Sequence, residues 1–277
     1  MRTILLWVLV ISLGTALPGL GQTTEEIRIN GSGTALDMLK PLAEAYQRKH
    51  PQVRIAIEKP LGSSGAIKAL LAGALDLALS SKPLSPEEAA RGARLQSYGK
   101  TPLAIVTEKG VPASDITTQL LEDIFAGRFT QWKPGSPVRL VLRPQNDIDS
   151  TILRSLSPGL NQAVSFAHGR PGMLMAVTDP EATALIARTH GGIGASGLAG
   201  LLVDKPPLKV LTLNGVQPAT ATLASGTYPL AKEISVVTTA KTPAAAWAFI
   251  DFIYSAAGRS QAEKAGVLVT GSSALSR

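Results

Sequence analysis

The chain contains no cysteine, and only 4% of its 277 residues are aromatic. Without cysteine it cannot form a disulfide, carry a lipid on an N-terminal cysteine or use a thiolate nucleophile. Its three histidines, His50, His168 and His190, are scattered along the sequence. Their spacing argues against a zinc site and leaves little material for a catalytic triad. We therefore expect no metal and no cofactor.

Long apolar runs are also missing after the first residues. Arg2 precedes an apolar run over residues 4–13, which is too short to cross a membrane comfortably. Small residues at Gly19 and Gly21 suit cleavage just before Gln22. The pattern predicts a signal peptide over residues 1–21 that directs the protein to a bacterial periplasm, and an uncleaved anchor is the alternative.

Basic residues outnumber acidic residues and give a formal net charge of +7. The lysines and arginines are scattered, without a basic helix or an aromatic platform, so no nucleic-acid partner is predicted. The excess of positive charge favours anionic ligands or surfaces.

Strand and helix patterns alternate over residues 26–107, which predicts an α/β fold with a mainly parallel sheet. Pro41 lies inside the first long helical pattern and is expected to kink that helix or restart it. Further along, helical patterns cover residues 161–177 and 180–188.

Three Gly/Ser clusters stand where a strand pattern gives way to a helix pattern, at residues 31–34 (GSGT), 62–65 (GSSG) and 80–81 (SS). Helix N-termini leave backbone N–H groups unpaired and carry partial positive charge. Glycine lets a ligand approach the backbone closely, and hydroxyls add hydrogen-bond donors. One such cluster would indicate only helix capping. Three of them favour a shared polar cleft, with plain capping as the alternative.

Four segments resemble the phosphate-binding proteins of ABC-type importers, the PstS-like branch of the periplasmic binding proteins. They are GSSGAIKALLAGALDLALSSKPL (62–84), LLEDIFAGRFTQW (120–132), SGTYPLAKEISVV (225–237) and AWAFIDFIYSAAGRSQAEKAGVL (246–268). The resemblance implies a type II fold of two α/β lobes, each with a mainly parallel sheet flanked by helices. Two hinge crossovers would join lobe 1, residues 22–107 with 226–277, to lobe 2, residues 108–225.

The resemblance also implies a ligand, a partner and a site. The ligand would be a small inorganic oxyanion, phosphate foremost, and the partner an ABC-type permease in the inner membrane, with the protein acting as a monomer. Lobe 1 and lobe 2 would each supply contacts to the ligand, at Thr34, Ala35, Leu36, Ser63 and Ser81 in the first and at Arg143, Ser150 and Thr151 in the second.

The loop after Arg143 departs from the family pattern. Residues 146–151 read NDIDST, where the family has a Ser-Gly-Thr turn that opens a helix. Two unit charges of the same sign 4 Å apart repel each other by about 4 kcal/mol at an effective dielectric constant of about 20, so an inward carboxylate from Asp147 or Asp149 would repel a dianion strongly. An outward carboxylate would cap the following helix. A third possibility is that one aspartate accepts the proton of a monoprotonated ligand.

Ser81 stands where phosphate-specific members of the family have an aspartate. A hydroxyl can donate to a fully ionised oxyanion as well as accept, so the choice between phosphate and sulfate stays open. Lys82 either adds positive charge to the site or stays solvated at its rim.

No catalytic constellation emerges. Residues 62–65 are not a Gly-x-Ser-x-Gly elbow, and Ser64 and Lys68 are four positions apart rather than three. The sequence therefore predicts a solute-binding protein, not an enzyme, that captures an oxyanion by lobe closure. Two alternatives remain: an envelope sensor or structural partner that has lost phosphate binding, and a hydrolase built on the same lobes.

Overall fold

The computed structural model describes residues 24–272. The predicted signal peptide, residues 1–21, lies outside the described residues. Within the described part of the chain, every helix is too short or too polar to cross a membrane.

The first part of the chain alternates strands and helices, as predicted. The elements are β1 (Glu25–Gly31), α1 (Gly33–Lys49), β2 (Val53–Ile57), α2 (Gly62–Leu71), β3 (Leu77–Ser80), α3 (Pro86–Ala90) and β4 (Arg94–Glu108). Helix α1 continues through Pro41, so it does not restart there.

The middle of the chain carries shorter elements. They are β5 (Asp115–Ile116), α4 (Thr118–Phe125), β6 (Gln131–Lys133), β7 (Ser136–Pro137), β8 (Arg139–Leu142), α5 (Ile148–Ser155), α6 (Pro158–Gly169), β9 (Leu174–Met175), α7 (Asp179–Arg188), β10 (Gly192–Gly197), α8 (Leu198–Val203), β11 (Leu208–Val210), β12 (Thr212–Leu213) and α9 (Thr220–Ala224). The helix predicted over residues 161–177 is wrong in its extent. Gly169, Pro171 and Gly172 break the helical pattern, and strand β9 follows.

The C-terminal part consists of β13 (Ala231–Thr238), α10 (Ala244–Tyr254), α11 (Ala256–Lys264) and β14 (Leu268–Val269). Helix α10 buries its apolar face, with Phe249, Ile250 and Ile253 at most 2% exposed. This face packs into the same apolar cluster as strand β1.

One ten-stranded sheet runs through the molecule in the order β2-β1-β3-β13-β4-β10-β8-β9, with β11 and β14 added on β4. Strand β1 pairs in parallel with β2 and β3, and β8 pairs in parallel with β10 and β9. Every antiparallel pair within this sheet includes β4 or β13. The predicted parallel pairing is therefore found at both outer ends, and the two strands that connect those ends run antiparallel.

Two large apolar clusters lie at opposite ends of β4. Tyr98 belongs to a cluster formed with β1, α1 and the C-terminal helices. Leu103 belongs to a second cluster, whose buried members come from the sequence between Leu103 and Leu230. Strands β4 and β13 thus connect two separately packed halves. The boundaries assigned to lobes 1 and 2 in the sequence stay predictions.

Candidate functional site

A cleft of about 530 Å³ opens where the carboxyl ends of β1 and β3 meet the second half of the molecule. It is lined by the first turns of α1 and α2, the loop after β3, the segment between Arg143 and Thr151, the residues that precede α7, and Lys232. Because β1 and β3 are parallel neighbours, the loops that follow them reach the same edge of the sheet. Such edges are where open α/β sheets bind ligands.

The three Gly/Ser clusters meet at this edge. The backbone N–H of Ser81 donates to Ser63 Oγ at 2.9 Å, and the hydroxyls of Ser32 and Ser81 are 2.8 Å apart. Neither Ser32 at α1 nor Leu61 at α2 caps its helix through a side-chain hydrogen bond. The clusters therefore tie three loops to one another rather than acting as ordinary side-chain caps.

The N-terminus of α1 binds a carboxylate of the protein itself. The backbone N–H of Thr34 lies 3.3 Å from Asp179 Oδ2, and the Thr34 hydroxyl donates to Asp179 Oδ1 at 3.0 Å. The close approach requires glycine at position 33, because a Cβ there would lie 2.8 Å from the Cβ of Asp179. The partial positive charge of a helix N-terminus stabilises such an anion. The carboxylate of Asp179 thus takes the place that an oxyanion would take on α1.

Lys232 joins this carboxylate to a second one. Its Nζ lies 2.6 Å from Asp179 Oδ1 and 2.7 Å from Asp149 Oδ1, and all three side chains are buried. Burial would raise the pKa of Asp179, but the charges of Lys232 and Arg143 outweigh it and hold that pKa below its usual range. Burial raises the pKa of Asp149 to about 6 in spite of the neighbouring lysine. Burial would lower the pKa of Lys232, but the two carboxylates raise it, so the lysine stays charged.

Arg143 follows β8 and is only 7% exposed. It faces Asp147 through two contacts, Nε to Oδ1 at 3.2 Å and Nη2 to Oδ2 at 3.0 Å. Its third nitrogen, Nη1, is buried and has no hydrogen-bond partner among residues 24–272. Burial would lower the pKa of Arg143, but Asp179, Asp149 and Asp147 raise it. The arginine is therefore a permanent cation with one N–H₂ group unused.

The two aspartates of the loop after Arg143 have different roles. Asp147 is the N-cap of α5, where its Oδ1 accepts from the backbone N–H of Asp149 at 3.0 Å. Asp149 turns inward, is 0% exposed and faces Lys232. When all are ionised, the carboxylates of Asp147, Asp149 and Asp179 outnumber the cations Arg143 and Lys232 by one.

The predicted contact residues divide into two groups. Ser63, Arg143 and Thr151 line the cleft. The others are buried behind its lining: Thr34, Ala35, Leu36, Ser81 and Ser150. Ser150 supports the site from behind, because its hydroxyl donates to the backbone oxygen of Arg143 at 3.3 Å. Whether any of the eight touches a ligand stays a prediction.

The two alternatives stated for Lys82 stay predictions. Lys82 lines the cleft, but its Nζ lies 3.1 Å from Glu88, a residue of α3. Burial would raise the pKa of Glu88, but the Ser85 backbone N–H and Lys82 together lower it. Glu88 therefore offsets the charge that Lys82 brings to the rim.

Sequence comparison identifies the family. A sequence profile described as a PBP superfamily domain matches residues 18–257. The chain belongs to the PBP superfamily. Over 278 residues it is 25% identical to the phosphate-binding protein PstS of Borreliella burgdorferi. The aligned region covers 97% of this chain and 99% of that protein. It is also 26% identical over 261 residues to the protein SphX of Synechococcus elongatus, covering 84% of this chain and 74% of SphX.

Solved structures give the same fold. A substrate-binding protein with bound phosphate from Clostridium perfringens superposes with a TM-score of 0.75 at 21% identity, covering 89% of this chain and 100% of that one. An ABC-type phosphate transport receptor from Vibrio cholerae gives a TM-score of 0.58 at 23% identity, and the superposition covers 88% of this chain and 99% of the receptor. The predicted resemblance to the PstS-like branch and the predicted two-lobed α/β fold are confirmed.

Within this PBP superfamily fold, sequence reasoning missed Asp179 and Lys232. A signal for the lysine was present: in a strand, residues two apart share a face, so Lys232 aligns with Ile234 and Val236, which are buried. Asp179 carried no such signal. It precedes Pro180 in a helix start that looks ordinary in sequence. Among residues 24–272, no cluster of three or more His, Cys, Asp or Glu side chains is arranged to hold a metal ion.

Proposed function

We propose that the protein is a periplasmic solute-binding protein that captures a small oxyanion, phosphate foremost, in the cleft between its lobes. One observation carries this proposal: the buried cation Arg143 lines the cleft and has an N–H₂ group without a partner among the described residues. An unpaired buried donor costs free energy, and an oxyanion is the ligand that the planar guanidinium recognises best.

Hydroxyl groups support the same ligand class. Ser63 Oγ accepts from the Ser81 backbone N–H, so its own proton is free to be donated to a ligand. Ser64 and Thr151 also line the cleft, from α2 and α5 respectively. Closure of the lobes would replace water around the oxyanion by these fixed donors. The relatives named as phosphate-binding and the neighbour with bound phosphate support phosphate as the first candidate.

The remaining parts of the proposal concern the cell. The signal-peptide pattern supports export to the periplasm, and the two-lobed fold supports delivery of the ligand by the monomer to an ABC-type permease in the inner membrane. Function as a binding protein rather than an enzyme agrees with the family.

The test is calorimetric titration of the refolded, ligand-free protein with phosphate, sulfate and molybdate. We expect binding of at least one oxyanion and its loss in both Arg143→Ala and Arg143→Lys, because lysine keeps the charge without the planar fork. Arg139→Ala is the matched control, since that arginine is exposed and lies on the same strand. Circular dichroism establishes that each variant is folded. Unchanged affinity in the two Arg143 variants would refute the site.

A second function is favoured by the internal carboxylates. Asp179 occupies the N-terminus of α1, and Asp147 and Asp149 face Arg143 and Lys232. These contacts fit an envelope sensor or structural partner that has lost phosphate binding. A ligand at 100 times its dissociation constant stabilises a protein by about 2.7 kcal/mol, which raises the melting temperature by several degrees at this size. Flat melting curves across the oxyanion panel would favour this second function.

A further inference from the structure

The cleft is larger than a bare oxyanion needs. Its volume of about 530 Å³ lies within the range of roughly 300–1,000 Å³ that is typical of clefts for organic ligands. A water molecule occupies about 30 Å³ in the liquid. With the lobes as they stand in this structure, a tetrahedral oxyanion alone would leave most of this space to solvent.

The charged end of a ligand has one well-defined place. Helix α2 spans ten residues, Gly62–Leu71, and no side chain caps its N-terminus. Its first-turn N–H groups have no partner within the helix. Arg143, more than nine-tenths buried, lines the same cleft with Nη1 unpartnered within the described part of the chain. An uncapped helix terminus and a guanidinium are each suited to bind an oxyanion, and both line this cleft.

The N-terminus of α1 cannot serve the same purpose in this arrangement. Asp179 already accepts from the Thr34 hydroxyl at 3.0 Å and binds Lys232 at 2.6 Å. The family resemblance implied ligand contacts from α1 as well as from Ser63 and Ser81, but in this chain the carboxylate of Asp179 occupies the N-terminus of α1. The ligand is thereby shifted toward α2.

Apolar side chains surround the other part of the cleft. Leu61, beside α2, is 54% exposed, and Val177, before α7, is 64% exposed. Both line the cleft, together with Pro83 and Ile148. Exposed aliphatic side chains on both sides of a binding cleft indicate a ligand with apolar surface of its own. An inorganic oxyanion has none to offer them.

We propose that the cleft binds an oxyanion that carries an apolar organic substituent, as in a phosphonate or a phosphate monoester. The oxyanion contacts the first turn of α2 and the guanidinium of Arg143, and the substituent packs against Leu61 and Val177. The inference rests on the proposed function, because it requires that the cleft bind an oxyanion at all.

Calorimetric titration with inorganic phosphate, methylphosphonate and phenylphosphonate tests the inference. We expect affinity to increase in that order, with phenylphosphonate at least about tenfold tighter than phosphate. The double variant Leu61→Ser/Val177→Ser should bring the preference below about threefold. Both side chains are exposed, so the variant should fold normally, and a melting curve checks this. Leu202→Ser is the control, because Leu202 is 45% exposed and lies outside the cleft lining.

The outcomes separate the inference from the proposed function. Phosphate binding as tightly as phenylphosphonate would overturn the inference and leave the proposed function intact. A preference for phenylphosphonate that persists in the double variant would overturn it as well, because the residues assigned to the substituent would be the wrong ones. Absence of binding by all three probes would overturn both.

Discussion

Helices α1 and α2 begin with similar Gly/Ser sequences at the same edge of one sheet, yet their N-termini differ in availability. The backbone N–H and the hydroxyl of Thr34, at the start of α1, donate to the carboxylate of Asp179. The same carboxylate also accepts a hydrogen bond from Lys232. The start of α2 has no side-chain cap and lines an open cleft beside Arg143. A glycine-rich helix start is therefore only a potential anion site, and the rest of the fold decides whether it is free.

The difference also assigns separate roles to the two buried cations. Lys232 contacts two carboxylates and has no charge to spare for a ligand. Arg143 contacts Asp147 with one side of its guanidinium and leaves Nη1 unused within the described residues. Lys232 therefore stabilises the contact between α1 and α7, whereas the proposed function assigns Arg143 to the ligand.

The largest effect is expected from Lys232→Met, which removes the cation that holds α1 and Asp179 together. Breaking a buried ion pair by deleting one partner costs about 3–5 kcal/mol, because the partner charges stay buried. Urea denaturation should show a loss of this size. Arg54→Met is the control: Arg54 pairs with Glu26, and the two side chains are 69% and 44% exposed, so its loss should cost about 1 kcal/mol or less. Equal losses in the two variants would mean that Lys232 has no special role.

The second prediction is that Asp179→Ala turns α1 into an anion site. The variant frees the backbone N–H and the hydroxyl of Thr34, and it removes one of the two carboxylates that pair with Lys232. A helix N-terminus stabilises an anion by up to about 2 kcal/mol. Sulfate affinity should rise by about thirtyfold in calorimetric titration.

Asp179→Asn provides the matched comparison. The amide removes the charge but leaves an oxygen that accepts from the Thr34 hydroxyl, so the terminus of α1 stays blocked. We expect a smaller gain in affinity than in Asp179→Ala. If both variants bind sulfate as weakly as the unmodified protein, Asp179 does not keep the anion from α1.

The comparison between the two helices marks the limit of what the sequence could predict. The Gly/Ser clusters, their place after parallel strands and the proximity of Ser63 to Ser81 follow from local patterns and from the rule that parallel strands end at one edge. The partner of Thr34 does not, because Asp179 lies 145 positions away in a helix start that looks ordinary. Lys232 lies between these cases, since the alternation along β13 contains a signal that this residue is buried but none that names its partners.

The loop after Arg143 shows the same limit on a smaller scale. The sequence offered capping or an inward carboxylate as alternatives, and the structure assigns capping to Asp147 and burial to Asp149. Two aspartates separated by one residue thus face different environments.

The third prediction concerns pH and follows from Asp149. Its pKa is raised to about 6 by burial, so its carboxyl group is ionised at pH 7.5 and protonated at pH 5. Protonation removes one negative charge from the cluster that Asp149 forms with Lys232 and Asp179. Sulfate, a dianion over this whole range, should bind about tenfold tighter at pH 5 than at pH 7.5. The other charged groups that act on Asp149 are Lys232, Asp179, Asp147 and Arg143.

Two variants assign the pH effect to one residue. Asp149→Asn should bind sulfate with nearly the same affinity at both pH values, and this affinity should equal that of the unmodified protein at pH 5. Burial also raises the pKa of Asp37 to about 6, so Asp37→Asn should retain the pH dependence of the unmodified protein. If Asp37→Asn removes the dependence and Asp149→Asn keeps it, the assignment to Asp149 is wrong.

The smallest effects on affinity come from exchanging single hydroxyls at the two helix starts. Ser64 is exposed and lines the cleft on α2. Ser64→Ala should therefore weaken oxyanion binding by about fivefold, which corresponds to the loss of one hydrogen bond, and should leave the melting temperature unchanged.

Thr34→Val should have the opposite result. It removes the hydrogen bond from the Thr34 hydroxyl to Asp179, so it should lower the free energy of unfolding by about 1.5–3 kcal/mol and leave the affinity for the oxyanion unchanged. Together the pair separates binding from stability, because the Ser64 hydroxyl lines the cleft and the Thr34 hydroxyl donates to Asp179. A loss of affinity in Thr34→Val with none in Ser64→Ala would place the ligand on α1 and reverse the comparison between the two helices.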